Sequence, residues 1–394
     1  MRKRIIGVFC VAFGLVCNVL ADDNIKSKFN PVSTAVVSQS IGPDARAGGI
    51  GDVGAATDPD VYSQAWNPAK YPFAISRAGL AVNYTPWLRK ITDDIALAYV
   101  SGYMRLGDYQ ALSGSLRYFS LGEVMTSDGG QMADGDGMTI SPYEMSVDIA
   151  YSRMLSENFS AAVALRYMYS DLSGNYSDDV SPGSAFAADI ACYYNKYLVM
   201  GSRECQLALG LNISNIGTKI KYGDENTYFI PTNLRLGVNY MIPLNEYNRL
   251  SLCADINKLL VPTMPRQRDD ESSEEYQDRL QRDYFDMSPI SGIFKSFSDA
   301  PGGFKEELEE IQWGIGAEYT YNDKFILRAG YRHESENKGG RKFFTVGAGF
   351  RMNVFSVDAG YVIATAPTNP LDQTLRVSLA FDFDGIKDLF GRGR

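Results

Sequence analysis

Residues 49–54, Gly49-Ile50-Gly51-Asp52-Val53-Gly54, carry glycines at the spacing that brings backbone amides up to a pyrophosphate. That chemistry needs a buried strand before the glycines and a helix after them. Here Pro43-Asp44-Ala45-Arg46 precedes them, so the spacing reads instead as a tight glycine turn. His333, the single histidine, lies between Arg332 and Glu334. A hydrolytic histidine needs a nucleophile or an activated water, and no G-x-S-x-G elbow accompanies it. It reads as a solvated loop-edge residue, and the chain as a non-enzyme. Asp128, Asp134 and Asp136 read as a solvated acidic loop, with loosely held calcium as the alternative. No His/Cys grouping has zinc spacing, so neither a metal nor a cofactor is expected.

The elements that must position any site repeat with period two. Leu375, Val377, Leu379, Phe381 and Phe383 alternate with Arg376, Ser378, Ala380 and Asp382. A face carrying full charges does not pack on a dry core, and the pattern recurs about fourteen times. It predicts an all-β fold, a transmembrane antiparallel β-barrel of about 14 strands with lipid outside and a polar lumen inside. Strands are expected near 78–87, 93–103, 109–120, 142–155, 159–171, 185–195, 203–214, 231–241, 249–258, 311–321, 324–333, 342–351, 354–363 and 373–384. In the clean repeats, Cys205, Leu207, Leu209, Leu211, Ile213, Leu234, Leu236, Val238 and Tyr240 face outward. Gln206, Ala208, Gly210, Asn212, Arg235, Gly237 and Asn239 face inward.

Link lengths alternate as well. They are short after even strands, as at Asn322-Asp323 and Met352-Asn353, and often long after odd ones. Outer-membrane barrels have this asymmetry, with short periplasmic turns and long outer loops. The expected layout is a signal peptide at 1–21, an N-terminal periplasmic or plug segment at 22–76, the barrel at 77–384 and a short periplasmic tail at 385–394. Arg2, Lys3 and Arg4, the apolar run to Val19 and the small residue Ala21 carry the first of these readings. Removing a leader with three basic residues and no acid takes the formal charge from −9 to −12, which argues against a nucleic-acid partner. The mean hydropathy of −0.19 suits a barrel, in which only alternate residues meet lipid. Three cysteines remain after the leader. Cys192 and Cys205 read as small apolar residues facing lipid on one hairpin, a disulfide being the alternative.

Charges accumulate on the inward parity: Arg117, Arg166, Arg235, Arg328, Arg351 and Arg376, with Asp148, Asp189, Asp255, Asp358 and Asp382. Buried charges must be paired or hydrated, so an ion-pair lattice gripping the plug is expected, with a channel lining second. The loop at about 259–310 is too long for a mere connection. Its first half, Arg266 to Arg282, is charged and helical in pattern. Its second half carries an apolar patch at Ile293, Phe294 and Phe297, with Phe304 beyond it. Two readings stand: a contact surface, or a loop folded back to plug its own barrel.

The run Pro43-Asp44-Ala45-Arg46-Ala47-Gly48-Gly49-Ile50-Gly51-Asp52 followed by Trp66-Asn67-Pro68-Ala69-Lys70-Tyr71 resembles the amino-terminal signature of the PorV (LptO) family. So do Tyr84-Thr85-Pro86-Trp87-Leu88-Arg89-Lys90, Ser115 to Glu123, and Ser296-Phe297-Ser298-Asp299-Ala300-Pro301-Gly302-Gly303-Phe304. The glycine-rich and Asn-Pro-Ala parts are shared with the wider FadL-like barrel group. The Tyr-Thr-Pro-Trp and Asp-Ala-Pro-Gly-Gly segments are more specific, and Arg266 to Arg282 matches least well. The resemblance implies a fourteen-stranded FadL-like barrel in the outer membrane of a Bacteroidota bacterium. It marks Arg46, Gly49, Gly51, Asp52, Asn67 and Pro68 as plug signature.

The resemblance further implies a part in type IX secretion: docking on the SprA (Sov) translocon, receiving cargo with a conserved C-terminal signal domain, and delivering it to the PorU sortase. The sortase joins cargo to anionic lipopolysaccharide. Ile293, Phe294, Phe297 and Phe304 are the expected partner or cargo contacts. The competing function is FadL-type transport of hydrophobic small molecules, which needs an apolar pocket reaching the outer loops. The inward arginines and aspartates weigh against it.

Overall fold

The computed structural model describes residues 29–88, 92, 94–126, 138–172, 181–201, 203–223, 226–268, 270–365 and 371–385. The expected leader, Asp128, Asp134, Asp136 and the tail from 386 onward lie outside them. Fourteen strands close into one antiparallel barrel. They are β1 (Ala78–Pro86), β2 (Ile95–Arg105), β3 (Gln110–Leu121), β4 (Tyr143–Ser156), β5 (Phe159–Asp171), β6 (Gly183–Met200) and β7 (Arg203–Gly217). The second half is β8 (Asn233–Pro243), β9 (Asn248–Leu259), β10 (Gln312–Tyr321), β11 (Phe325–His333), β12 (Phe343–Arg351), β13 (Phe355–Ala364) and β14 (Leu375–Asp382). Each strand pairs with its chain neighbours, and β14 closes the ring on β1 with Gly79 opposite Asp382. Antiparallel closure between first and last strands requires an even number, and it leaves no unpaired edge.

The alternation in sequence is the alternation in space. In β14, Leu375, Val377 and Leu379 stand on the exposed outer face while Arg376, Ser378 and Ala380 are buried inside. Ile149, Leu165 and Leu327 are each at least 60% open to the surroundings of the barrel. Such a belt of exposed aliphatics is stable against lipid chains, not against water. The link parity also holds. Three residues or so join β10 to β11 and β12 to β13, whereas 260–311 joins β9 to β10 at the other end. The long-link end also holds two small hairpins, Val124–Thr126 with Met138–Ile140 and Ile220–Lys221 with Thr227–Tyr228.

Register excludes the disulfide alternative. Cys192 lies opposite Leu211, and Cys205 opposite Leu198, so the two cysteines are six positions out of step on the β6–β7 hairpin. At about 3.3 Å per residue they are far beyond disulfide reach. Both are free thiols, as is Cys253.

Residues 29–77 run through the lumen. The segment touches the inward faces of strands around the whole ring, and glycines on those strands make room for it. A Cβ on Gly210 would stand 2.0 Å from the Ala55 carbonyl oxygen, and one on Gly330 2.2 Å from the Ile50 carbonyl carbon. Neither neighbour is a flexible side chain, so backbone itself would have to move. Gly210→Val is expected to lower stability by about 3 kcal/mol, the upper end for overpacking, read as a lower urea midpoint of the detergent-folded barrel. An unchanged midpoint would mean that the segment is not seated against β7.

Candidate functional site

The lumen segment is built from short, strongly capped turns. Asp44 caps α1 (Ala45–Gly48): its carboxylate accepts from Ala47 N at 2.8 Å and from Trp66 Nε1 at 2.5 Å. The chain then turns at Gly51 (φ 78°) and Asp52 (φ 56°), where consecutive left-handed residues need a glycine or a short polar side chain. Gly51 N donates to Thr345 Oγ1 on β12 at 2.9 Å. Asn67 caps the 3₁₀ turn Pro68–Phe73 by accepting from Ala69 N at 3.0 Å, and its amide donates to the Ala55 and Cys192 carbonyls. Pro68 occupies the first helical position, where its missing N–H costs nothing. Thus the glycine-rich run and the Asn-Pro-Ala run shape one buried segment packed against the barrel wall.

Charge holds that segment to the wall. Arg46 pairs with Asp60 of the same segment at 2.6 Å and with Glu318 on β10 at 3.0 Å. Glu318 also takes Arg328 Nε at 2.7 Å, Arg328 Nη1 reaches Asp358 at 2.7 Å, and Asp358 accepts from the Tyr62 hydroxyl at 3.2 Å. The chain of pairs therefore leaves the lumen segment at Arg46 and returns to it at Tyr62. A second group joins Arg166 to Asp148 (3.1 Å) and Asp189 (2.9 Å), with Gln64 of the segment donating to Asp148. Arg376 pairs with Asp52, and Asp255 accepts from Gly54 N and Ala55 N. The expected lattice is present. Its central carboxylate, Glu318, was not singled out from the sequence, although alternation along β10 puts it on the inward face with Gly314, Gly316 and Thr320.

Not every expected lumen charge joins the lattice. Arg351 follows the inward parity but ends β12 at the short-turn end, exposed to solvent. Asp382 accepts from Ser76 Oγ and from Asp384 N at the end of β14, with no arginine in ion-pair reach among the described residues. Arg117 donates to the Ser38 and Ile41 carbonyls and Arg235 to Asn257 Oδ1, with no carboxylate in ion-pair reach among the described residues. His333 is the last residue of β11 and only partly buried, and its ring stacks on Trp313 with centroids 5.0 Å apart.

The long loop forms an ordered platform over the lumen mouth. Its helices are α2 (Ser273–Leu280), α3 (Pro289–Lys295) and α4 (Phe304–Glu309). A Ser272–Glu275 capping box starts α2, within the stretch expected to be helical. Leu280 and Tyr284 pack with Phe229 and Val261, and Val32 of the N-terminal segment borders the same cluster. Lys258 at the end of β9 binds Glu307 (3.1 Å) and Glu310 (2.6 Å), while Lys338 binds Glu306 (2.7 Å) and Glu310 (2.9 Å). These pins leave apolar stripes uncovered. Gly292 and Ser296 face inward on α3, but Ile290, Phe294 and Phe297, at helical spacing, face out. Phe304 and Leu308 do the same on α4. Phe294 is 74% exposed and Phe304 78%. Ile293 is half-buried, so Ile290 takes its expected place in the patch.

Asp299 lies between α3 and α4 and accepts from Thr263 N at 2.9 Å. Burial, with Glu310 and Glu307 nearby, pushes its carboxyl from the usual 3.8 up to about 6. The folded loop then holds the proton more tightly than the unfolded loop does. Stability from this group is present below about pH 4 and is lost as pH rises to about 6. Hydrogen exchange of the Thr263 amide should be slower at pH 5 than at pH 7, after correction for intrinsic rates. Asp299→Asn should erase that difference. Within the lumen, Glu318→Gln strips the shared carboxylate from Arg46 and Arg328 and is expected to cost about 3 kcal/mol in urea unfolding. A loss below about 1 kcal/mol would show that the lattice does not hold the segment.

A family model described as type IX secretion system protein PorV matches residues 24–266, more than half of the chain. Comparison with curated proteins returns no match. Among solved structures, the chain is similar to the Pseudomonas putida toluene transporter TodX at 11% identity. That match covers 85% of this chain and 96% of that one, with a TM-score of 0.46. It is also similar to a Pseudomonas aeruginosa FadL homologue at 12% identity, covering 90% and 100% respectively, with a TM-score of 0.43. Fourteen antiparallel strands, a lumen segment that carries the Pro-Asp-Ala-Arg and Asn-Pro-Ala runs, and the family match lead to one assignment: the chain belongs to the PorV family of outer-membrane β-barrel proteins of the type IX secretion system.

Proposed function

We propose that this protein binds secreted cargo through the cargo's C-terminal signal domain at the SprA (Sov) translocon. It then delivers the cargo to the PorU sortase for attachment to lipopolysaccharide on the cell surface. In this reading the long loops face outward from a Bacteroidota outer membrane. Residues from 22 to 76 serve as a fixed plug, and the platform of α3 and α4 is the contact surface. The protein performs no chemistry of its own; its work is recognition.

The observation that carries this reading is the pair of uncovered apolar stripes on short helices that ion pairs hold rigid. Apolar anchors contribute most to binding when they are preorganised and rimmed by polar groups. Here Lys258, Lys338 and the glutamates of α4 supply the rigidity. Small-molecule passage is disfavoured by the same lattice, because an apolar ligand crossing the lumen would have to displace paired charges around Glu318 and Arg166.

Phe294→Ser with Phe297→Ser is expected to leave the barrel assembled, with normal heat-modifiable migration, while cargo display on the cell surface falls at least tenfold. Phe304→Ser should add to the defect. Normal display in the double variant would rule out this face. A pull-down from detergent-solubilised outer membranes checks the partners: recovery of a very large barrel, a sortase or proteins sharing a C-terminal domain is expected. Recovery of the barrel alone with bound lipid would favour transport.

A further inference from the structure

Beneath the platform, between the lumen segment and the outer ends of the strands, lies a cavity of about 50 Å3. Gln39, Ser40 and Ala65 of the lumen segment form one side. Five arginines line it: Arg166 and Arg341, which are ion-paired, and three others, Arg117 on β3, Arg235 on β8 and Arg332 on β11. Unlike the arginines of the lattice, these three meet only neutral partners. Arg117 donates to the Ser38 and Ile41 carbonyls and lies over the Tyr99 ring. Arg235 donates to Asn257 Oδ1 at 2.7 Å and lies over the Trp66 ring at 4.5 Å. Arg332 donates to Gln312 Oε1 at 2.6 Å and to the Asp52 carbonyl at 3.4 Å. Of the carboxylates nearby, Asp148 is engaged by Arg166, Glu334 by Arg341 and Asp52 by Arg376, while Asp255 and Glu144 accept backbone amides of the lumen segment and stand outside ion-pair reach of these three arginines.

Neutral carbonyls and rings orient a guanidinium but leave it without a direct ion-pair partner, and carboxylates at longer range offset its charge only in part, which is costly in a lumen shielded from bulk water. Two further groups line the same cavity as unmet donors. Asn257 and Tyr99 are each only 2% exposed, and neither Asn257 Nδ2 nor the Tyr99 hydroxyl has a hydrogen-bond partner. Three unpaired cations and two idle donors around one small space make a site with a missing acceptor.

We propose that this cavity binds a small oxyanion, a phosphate or a carboxylate group, held by Arg117, Arg235 and Arg332 and by the Asn257 and Tyr99 donors. Guanidinium forks suit either oxyanion. The volume admits a group of a few heavy atoms and excludes a nucleotide or an acyl chain. Because the lumen segment forms one side, a bound anion would also fasten that segment to β3, β8 and β11. The inference does not depend on the cargo reading: loop variants test that one, and cavity variants test this one.

The test uses the full detergent-folded barrel, with inorganic phosphate and acetate as probes in isothermal titration calorimetry and thermal unfolding. Saturable binding of at least one probe, with a raised unfolding midpoint, is expected. Preference for phosphate would mark a free ion, and preference for acetate a carboxylate-bearing ligand; both support the site. Arg235→Gln with Arg332→Gln should weaken binding at least tenfold. Asn257→Asp is the safer variant, since its carboxylate sits beside Arg235 and supplies the missing charge. It should fold normally and bind neither probe. No saturable binding by the native barrel, or equal binding by native and Asn257→Asp proteins, would overturn the proposal.

Discussion

Closing fourteen strands into a barrel with a charged interior imposes one demand: every inward charge must find a partner that is not bulk water. Wall-to-wall pairs meet part of that demand, and the lumen segment meets much of the rest. Glu318 sits between Arg46 of the segment and Arg328 of the wall, and Asp60 and Asp358 complete the pairing of the two arginines. The glycines on the strands, the caps at Asp44 and Asn67, and the turn at Gly51-Asp52 all bring polar groups of one short segment within reach of a ring of strands.

The same logic extends to the outer surface by a different route. The loop between β9 and β10 is long enough to wander, yet two lysines at strand ends and a small apolar cluster fix it over the mouth. Rigidity there has a cost in exposed Phe294, Phe297 and Phe304, which a free-standing surface does not need. Lumen and platform thus differ in kind: paired charge lines the one, and uncovered apolar stripes mark the other.

Much was legible in the sequence because period-two alternation has a single geometric consequence. All fourteen strands, the link parity and the facing of Leu207, Leu209, Arg235 and Asn239 follow from it. A slip of one residue would place charge in lipid, so the register had no competitor. Spacing also marked Phe294 and Phe297. It could not say that Ile293 turns half inward while Ile290 turns out, since that depends on which side of α3 meets Phe229 and Pro262.

Sequence by itself determined that the chain is a barrel, which faces meet lipid, and that charges line the interior. Only the tertiary structure decided which of those charges pair. Arg328 and Arg235 have the same inward parity, yet one is locked between two carboxylates and the other faces an open cavity. Likewise Cys192 and Cys205 share a hairpin but not a register. Parity is a property of one strand, read from neighbouring residues. Pairing depends on the relative shift of two strands and on where a distant segment threads between them, and no local pattern encodes either.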